Sequence, residues 1–269
     1  MTFDDITNRG LVMLGCGKMG SAMLEGWLAQ GLPAKSIWIV DPYPSDWVKD
    51  QGVHINADLP ADPAIALIAV KPQMMADALP KLRGFGSGTL ILSVAAGTRI
   101  STYQDALGAG TRIIRAMPNT PAAIGKGISA IIGNSMASAA DLDLADVLLS
   151  AVGQVVRLET EDQIDAVTGV SGSGPAYVFN MIEAMAAAAQ AQGLSPALSM
   201  QLAKATVAGA GALAEAAGET PSQLRVNVTS PNGTTQAGLE VLIDPATGLT
   251  PLMIKTVAAA ADRSRALKG

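Results

Sequence analysis

Histidine and cysteine are almost absent from this 269-residue chain, with His54 and Cys16 the single examples of each. One cysteine excludes an internal disulfide and a thiolate metal cluster. One histidine leaves no His-rich ligand set, and any Ser-His or Cys-His nucleophile pair would depend on His54 alone. No metal is expected. Aromatic residues make up only 3% of the chain, and 18 basic against 23 acidic side chains give a net charge of −5. That balance argues against nucleic acid or an anionic membrane surface as partner. No apolar run approaches the length of a membrane span. The opening MTFDDITNRG is polar and acidic, unlike a targeting peptide, so a cytoplasmic protein without a membrane partner is expected.

What the chain has is small and apolar. It is 49% hydrophobic with 28 glycines, long enough to bury a sizeable core and to form two domains. Short Ile/Val/Leu runs at 11–14, 37–40, 65–70, 90–94 and 113–116, with later ones at 129–132 and 155–158, alternate with amphipathic stretches beginning near Lys18, Pro72 and Ala137. Strands apolar throughout are buried on both faces, and their alternation with helices predicts a doubly wound, parallel α/β domain. Beyond about residue 160 the pattern becomes alanine-rich. Ser195-Pro196, Thr220-Pro221 and Thr250-Pro251 each place a capping hydroxyl before a proline, and Gly193 and Gly218 stand where helices should end. The expected division is therefore residues 1–158, a dinucleotide-binding α/β domain, and 159–269, an all-helical domain. Helical stripes such as Met181, Ala184, Met185, Ala188 and Leu202, Ala205, Ala208, Ala212 suit close helix packing and suggest a dimer.

Gly15-Cys16-Gly17-Lys18-Met19-Gly20 fits GxGxxG between a strand and a helix. The glycines serve a tight turn, close approach of backbone to pyrophosphate, and helix–strand packing, while the helix start offers N–H groups to the anion. Asp41, ending the second strand, would accept hydrogen bonds from the adenosine ribose and repel a 2′-phosphate, with Lys49 the nearest base. NADH is thus expected to be accepted. Three strand ends should wall the nicotinamide: Ala69-Val70-Lys71-Pro72, Val94-Ala95-Ala96-Gly97 and Met117-Pro118-Asn119-Thr120-Pro121.

In the helical region, Val228-Thr229-Ser230-Pro231-Asn232-Gly233-Thr234-Thr235-Gln236-Ala237-Gly238 resembles the signature of pyrroline-5-carboxylate reductases. Ala69-Val70-Lys71-Pro72-Gln73, Arg115-Ala116-Met117-Pro118-Asn119-Thr120-Pro121, and Asp165-Ala166-Val167-Thr168 leading to Ser171-Gly172-Ser173-Gly174-Pro175-Ala176-Tyr177 agree in order, so the resemblance runs from about residue 11 to 267. It implies a Rossmann domain followed by a helical dimerisation domain, NADP or NAD in reduced form as hydride donor, and reduction of 1-pyrroline-5-carboxylate to proline in a homo-oligomer built from dimers. By position it makes Thr235 the residue that hydrogen-bonds the imine nitrogen. Thr234, with Ser230, Gly233 and nearby amides, would hold the carboxylate, and Glu161 would lie near the substrate. Asn56 and Asn227 would touch the cofactor. Asn232 stands where the family often has glycine, and Asp41-Pro42 where it often has small polar or basic residues.

The residues read alone leave other roles open. Thr234 and Thr235 could simply start a helix, Glu161 lies in the charged run Glu159-Thr160-Glu161-Asp162, and Lys71-Pro72 could only shape a turn. A reductase of a related cyclic imine is the nearest rival. A β-hydroxy-acid dehydrogenase should offer a catalytic lysine on the helix after the domain boundary, and Lys204, the only lysine in residues 160–254, lies in an alanine-rich stretch without an obvious polar companion. A non-catalytic NAD(P)-binding sensor would have no reason to keep the turn before Thr235.

Overall fold

A computed structural model describes residues 3–267. Within them a single sheet contains β1 (Leu11–Leu14), β2 (Ile37–Val40), β3 (His54–Ile55), β4 (Ile65–Ile68), β5 (Leu90–Ser93), β6 (Ile113–Met117), β7 (Gly127–Gly133) and β8 (Gly153–Arg157). The helices are α1 (Asp4–Arg9), α2 (Lys18–Ala29), α3 (Asp46–Lys49), α4 (Met75–Ala78), α5 (Ile100–Leu107), α6 (Ala139–Ser150), α7 (Gln163–Val167), α8 (Gly174–Ala191), α9 (Pro196–Ala216), α10 (Pro221–Asn227), α11 (Thr234–Leu242) and α12 (Leu249–Ala266). The doubly wound α/β domain followed by helices is the architecture that the alternating runs predict.

The sheet order is β3-β2-β1-β4-β5-β6-β7-β8. Successive residues of one strand face opposite sides, so each apolar strand feeds two cores. Met13, Leu67 and Leu92 join Leu24 and Trp27 on one face, while Val12, Leu14, Ala66 and Ile68 join Leu79 and Tyr103 on the other. The chain turns from β2 on one side of β1 to β4 on the other, which opens a crevice at the carboxyl ends of these strands.

The structure departs from the expected elements in four places. β7 pairs antiparallel with β6, with Arg115 opposite Ile132. The connection over 118–126 holds only the 3₁₀ turn Thr120–Ile124, too short for the crossover that a parallel pair needs. β3 spans two residues, below what periodicity can show. The helix expected at Pro72 is split into a 3₁₀ turn, α4 and a second 3₁₀ turn, Leu79–Leu82, in which Pro80 cannot donate to a continuing helix. Thr250 is not a cap, because α12 already begins at Leu249.

Packing divides the chain into one unit that runs to Gly172 and resumes at Ala261, and a second, Ser173–Ala260. This division lies beyond the expected one at 158/159, because α7 buries Ile164 and Asp165 in the sheet unit. The end of α12 is tied there too: the Ser264 hydroxyl donates to Asp165 Oδ1 over 2.8 Å. In the second unit, the Ser195 and Thr220 hydroxyls accept from the Leu198 and Gln223 amides as caps of α9 and α10. Gly193 takes φ +91° just past α8, whereas Gly218 follows α9 without a left-handed turn. Of the described side chains in this unit, only Ala186, Ser199 and Ala203 are buried.

Candidate active site

The glycine motif begins the site. Gly15, at φ +81°, turns the chain out of β1, and a Cβ there would lie 2.9 Å from Val70 Cγ1. Gly20 seats α2 on the turn, since a Cβ would meet the Gly15 carbonyl at 3.0 Å and Met13 Sδ at 3.2 Å. Gly17 differs. It precedes α2 with ordinary φ, and nothing lies within 4 Å of a Cβ placed on it. Its missing side chain therefore serves open space rather than packing. No side chain caps the start of α2, which leaves this end of the helix suited to an anion. Lys18 is exposed and Met19 half-buried. Cys16 is buried beside Ser21, and burial, reinforced by the charge of Asp41, pushes its thiol up despite the Ser21 hydrogen bond.

Asp41 leaves β2 facing this turn. Its Oδ2 accepts from the Cys16 amide at 2.7 Å and its Oδ1 from the Tyr43 amide at 2.8 Å. The carboxylate expected from the sequence to bind the ribose thus holds the glycine turn, with lone pairs to spare on both oxygens. Asn56 takes a left-handed φ of +49° and exchanges two hydrogen bonds with the Asp41 backbone. Beside them a cavity of about 320 Å³ is lined by Val40, Pro42, Asn56, Val70, Asp77 and Lys81. Its size and apolar floor suit an adenosine.

The other strand ends lie along the same edge of the sheet. The Ala69 amide donates to the Leu14 carbonyl and the Val94 amide to that of Ile68, so both loops are fixed where they leave the sheet. Lys71 and Pro72 are exposed and open a 3₁₀ turn; Ala95 is buried and Ala96 exposed. Asn119 bridges Ile128 and Ser171.

Glu161 lies in this sheet unit. One oxygen, Oε1, accepts from Arg115 Nη1 at 2.7 Å and from the Ile100 amide at 2.9 Å. Arg115 was quoted in the sequence only as part of a motif, yet it is the centre of this group, with its side chain 2% exposed. The signal was an arginine inside the apolar run 113–117, since a charge in a core strand requires a partner.

In the second unit, Thr234 and Thr235 open α11, preceded by Gly233, and no side chain caps them. Asn232 adopts φ +58°, the left-handed turn that asparagine tolerates, and its amide donates to Gln236 Oε1 at 2.8 Å. Ser230, Thr234 and Thr235 are all exposed. Asn227 is exposed as well, and its side chain contacts Glu219 and Gln223. The turn thus gathers Ser230, Gly233, Thr234 and Thr235 at one helix start, while the glycine motif, Asp41, Asn56 and the two strand ends 69–72 and 95–96 gather at the edge of the sheet.

Fold and cofactor cradle define a nicotinamide-nucleotide-dependent oxidoreductase. Residues 11–97 match the family described as NADP oxidoreductase, coenzyme F420-dependent, and residues 161–267 match pyrroline-5-carboxylate reductase dimerisation. The pyrroline-5-carboxylate reductase of Methanosarcina acetivorans is 37% identical over 97% of this chain and 98% of its own. That of Pseudomonas aeruginosa is 38% identical over 96% of each. Among solved structures, the pyrroline-5-carboxylate reductase of Coxiella burnetii superposes with a TM-score of 0.90 at 31% identity, covering 97% of this chain and 99% of that one. The Plasmodium falciparum pyrroline carboxylate reductase with NADP bound gives 0.82 at 26%, covering 98% and 99%. The chain belongs to the pyrroline-5-carboxylate reductase family.

Proposed function

We propose that this protein reduces 1-pyrroline-5-carboxylate to L-proline, the last step of proline synthesis, in the cytoplasm. The observation that carries the reading is the start of α11, where Thr234 and Thr235 stand exposed at an uncapped helix end behind a left-handed Asn232. Such an end offers amides and a positive dipole to a carboxylate, an interaction of about 0.3–1 kcal/mol when exposed and more when partly buried. Thr234 and its neighbours hold the substrate carboxylate, with Ser230 and Gly233 shaping the turn. Thr235 Oγ1 accepts from the protonated imine nitrogen and so orients the C=N bond.

The reduced nicotinamide supplies a hydride to the imine carbon. The protein need not supply a strong acid, because the iminium already carries its proton and the product amine forms directly. Positioning of the two reactants is the main requirement. On the cofactor side, the glycine turn and α2 hold the pyrophosphate, Asp41 and Asn56 the adenosine ribose, and the loops at Ala69–Pro72 and Ala95-Ala96 the nicotinamide half. Asn227 completes the cofactor contacts. Asp41 ends β2 beside a cavity whose lining carries one acid, Asp77, and one amine, Lys81, and the Asp41 carboxylate favours NADH over the doubly charged 2′-phosphate of NADPH.

The functional unit is a homodimer. A helical unit whose described side chains are mostly exposed, the large apolar Phe179, Leu213, Val241 and Ile254 among them, requires a second surface to cover it. The test is oxidation of NADH and NADPH with and without 1-pyrroline-5-carboxylate, with proline identified as product. Substrate-dependent oxidation that yields proline supports the reading. Cofactor binding without turnover would remove it in favour of a related cyclic imine.

A further inference from the structure

We infer that Glu161, Arg115 and Tyr103 are positioning residues that hold the loop between β5 and α5 in its productive form. The inference rests on the reductase reading for its kinetic consequences, and on the sheet unit alone for its geometry. The loop, residues 94–99, contains Ala95 and Ala96 and is fastened at its start, middle and end.

At the start, Ser93 Oγ lies 2.5 Å from the Tyr103 hydroxyl and accepts from the Ala95 amide at 3.2 Å. In the middle, Tyr103 also hydrogen-bonds Thr98. At the end, Glu161 Oε1 accepts the Ile100 amide at the first residue of α5, where no side chain of the loop itself caps the helix. The same oxygen pairs with Arg115 Nη1. Arg99 adds a clasp to the neighbouring Asp162 at 2.7 Å. Ser93 and Tyr103 are fully buried, and the Arg115 side chain is 2% exposed. Glu161, by contrast, is not spread into solvent as its charged run suggests; one oxygen is committed to two donors.

A buried ion pair is weak evidence for stability, because an apolar residue of similar volume packs into a strand as well. What the pair supplies is direction. Arg115 is fixed in β6, so the carboxylate it holds marks one point in space for the N-terminus of α5, while Tyr103, one turn into α5, marks another on Ser93. The two anchors together set the path of the intervening loop. A reaction governed by placement of donor and acceptor is sensitive to such a loop, since small displacements of a reacting atom cost large factors in rate. Glu161 thereby acts through the loop rather than on the substrate.

The experiment compares wild type, Glu161→Gln and Tyr103→Phe. For each, kcat and KM for 1-pyrroline-5-carboxylate are measured, together with the deuterium isotope effect on kcat using NADH labelled at the nicotinamide C4. NADH dissociation constants and amide exchange of residues 94–100 complete the set. The expected result is at least a tenfold fall in kcat for Glu161→Gln and a smaller one for Tyr103→Phe. The isotope effect should rise, the NADH dissociation constant should stay within about twofold, and the Ala95 amide should exchange at least tenfold faster. A merely less folded enzyme would lose kcat with an unchanged isotope effect. Wild-type kcat, isotope effect and exchange in both variants would overturn the inference. So would a raised substrate KM at unchanged kcat in Glu161→Gln, which would make Glu161 a direct substrate ligand. Should Glu161→Gln fail to fold, the near-isosteric Tyr103→Phe carries the test. A wild-type enzyme idle with the imine would overturn the reduction reading alone, and the exchange measurement would still decide this one.

Discussion

The carboxylate of Asp41 accepts the backbone amide of Cys16 at 2.7 Å, so the residue proposed to bind the ribose also holds the glycine turn. On the proposed reading, ribose recognition and the shape of the glycine loop form one device. Asp41→Ser removes both the loop's anchor and the charge facing a 2′-phosphate. The variant should bind NADH about tenfold more weakly, with the NADPH-to-NADH ratio of kcat/KM moving toward NADPH by a similar factor. Fluorescence titration and steady-state kinetics with both cofactors measure the two effects.

The glycines of the motif should separate stability from binding. Gly20→Ala places a methyl 3.0 Å from the Gly15 carbonyl and should destabilise the fold by about 1–3 kcal/mol in urea unfolding. Gly17→Ala meets nothing within 4 Å and should change stability by less than about 1 kcal/mol while raising the cofactor dissociation constant at least tenfold. Equal behaviour of the two variants would contradict their assigned roles.

Alkaline pH should probe Tyr103. Burial pushes its phenol above the usual value of 10.0, partly offset by the Ser93 and Thr98 hydrogen bonds. With the folded value raised, the contribution is fully present below about pH 10 and is lost as pH rises through the folded value. Urea unfolding between about pH 9 and pH 11 should show falling stability in the wild type and a shallower fall in Tyr103→Phe. At neutral pH the variant should cost about 0.5–1.5 kcal/mol for the lost hydrogen bond.

Exposed apolar side chains of the helical unit should hold the dimer. Leu213 and Ile254 are 55% and 66% exposed in the single chain. Leu213→Asp or Ile254→Asp should shift sedimentation from dimer toward monomer and lower turnover with it. A charged variant that keeps the wild-type mass and activity would show that this face is not the interface.

Much of the fold was legible because its signals are local. Runs such as Ile65 to Ile68 are apolar on both faces, GxGxxG sits between strand and helix, and Ser195 and Thr220 cap the helices they precede. What escaped depends on residues distant in sequence. The reversal of β7 follows from the length of a loop that carries no strand signal of its own. The packing division beyond Gly172 follows from Ile164 and Asp165 being buried against the sheet unit. Asp41 was legible as an acidic strand end, but not its hold on Cys16, which lies 25 residues earlier. The resemblance places Glu161 near the substrate, with a solvated charged run as the alternative, and its hold on its partner Arg115, 46 residues away, was not legible. That partner was itself visible as the one charge in an apolar strand.

The central claim is hydride transfer to an imine carbon oriented by Thr235. The most direct measurement is transfer of deuterium from NADH labelled at the nicotinamide C4 to 1-pyrroline-5-carboxylate, read in the product by NMR, for wild type and Thr235→Ala. Deuterium should appear at C5 of proline, with the single-turnover rate in the variant lower by about 10²-fold or more. Absence of label at C5, or an unchanged rate in Thr235→Ala, would contradict the account.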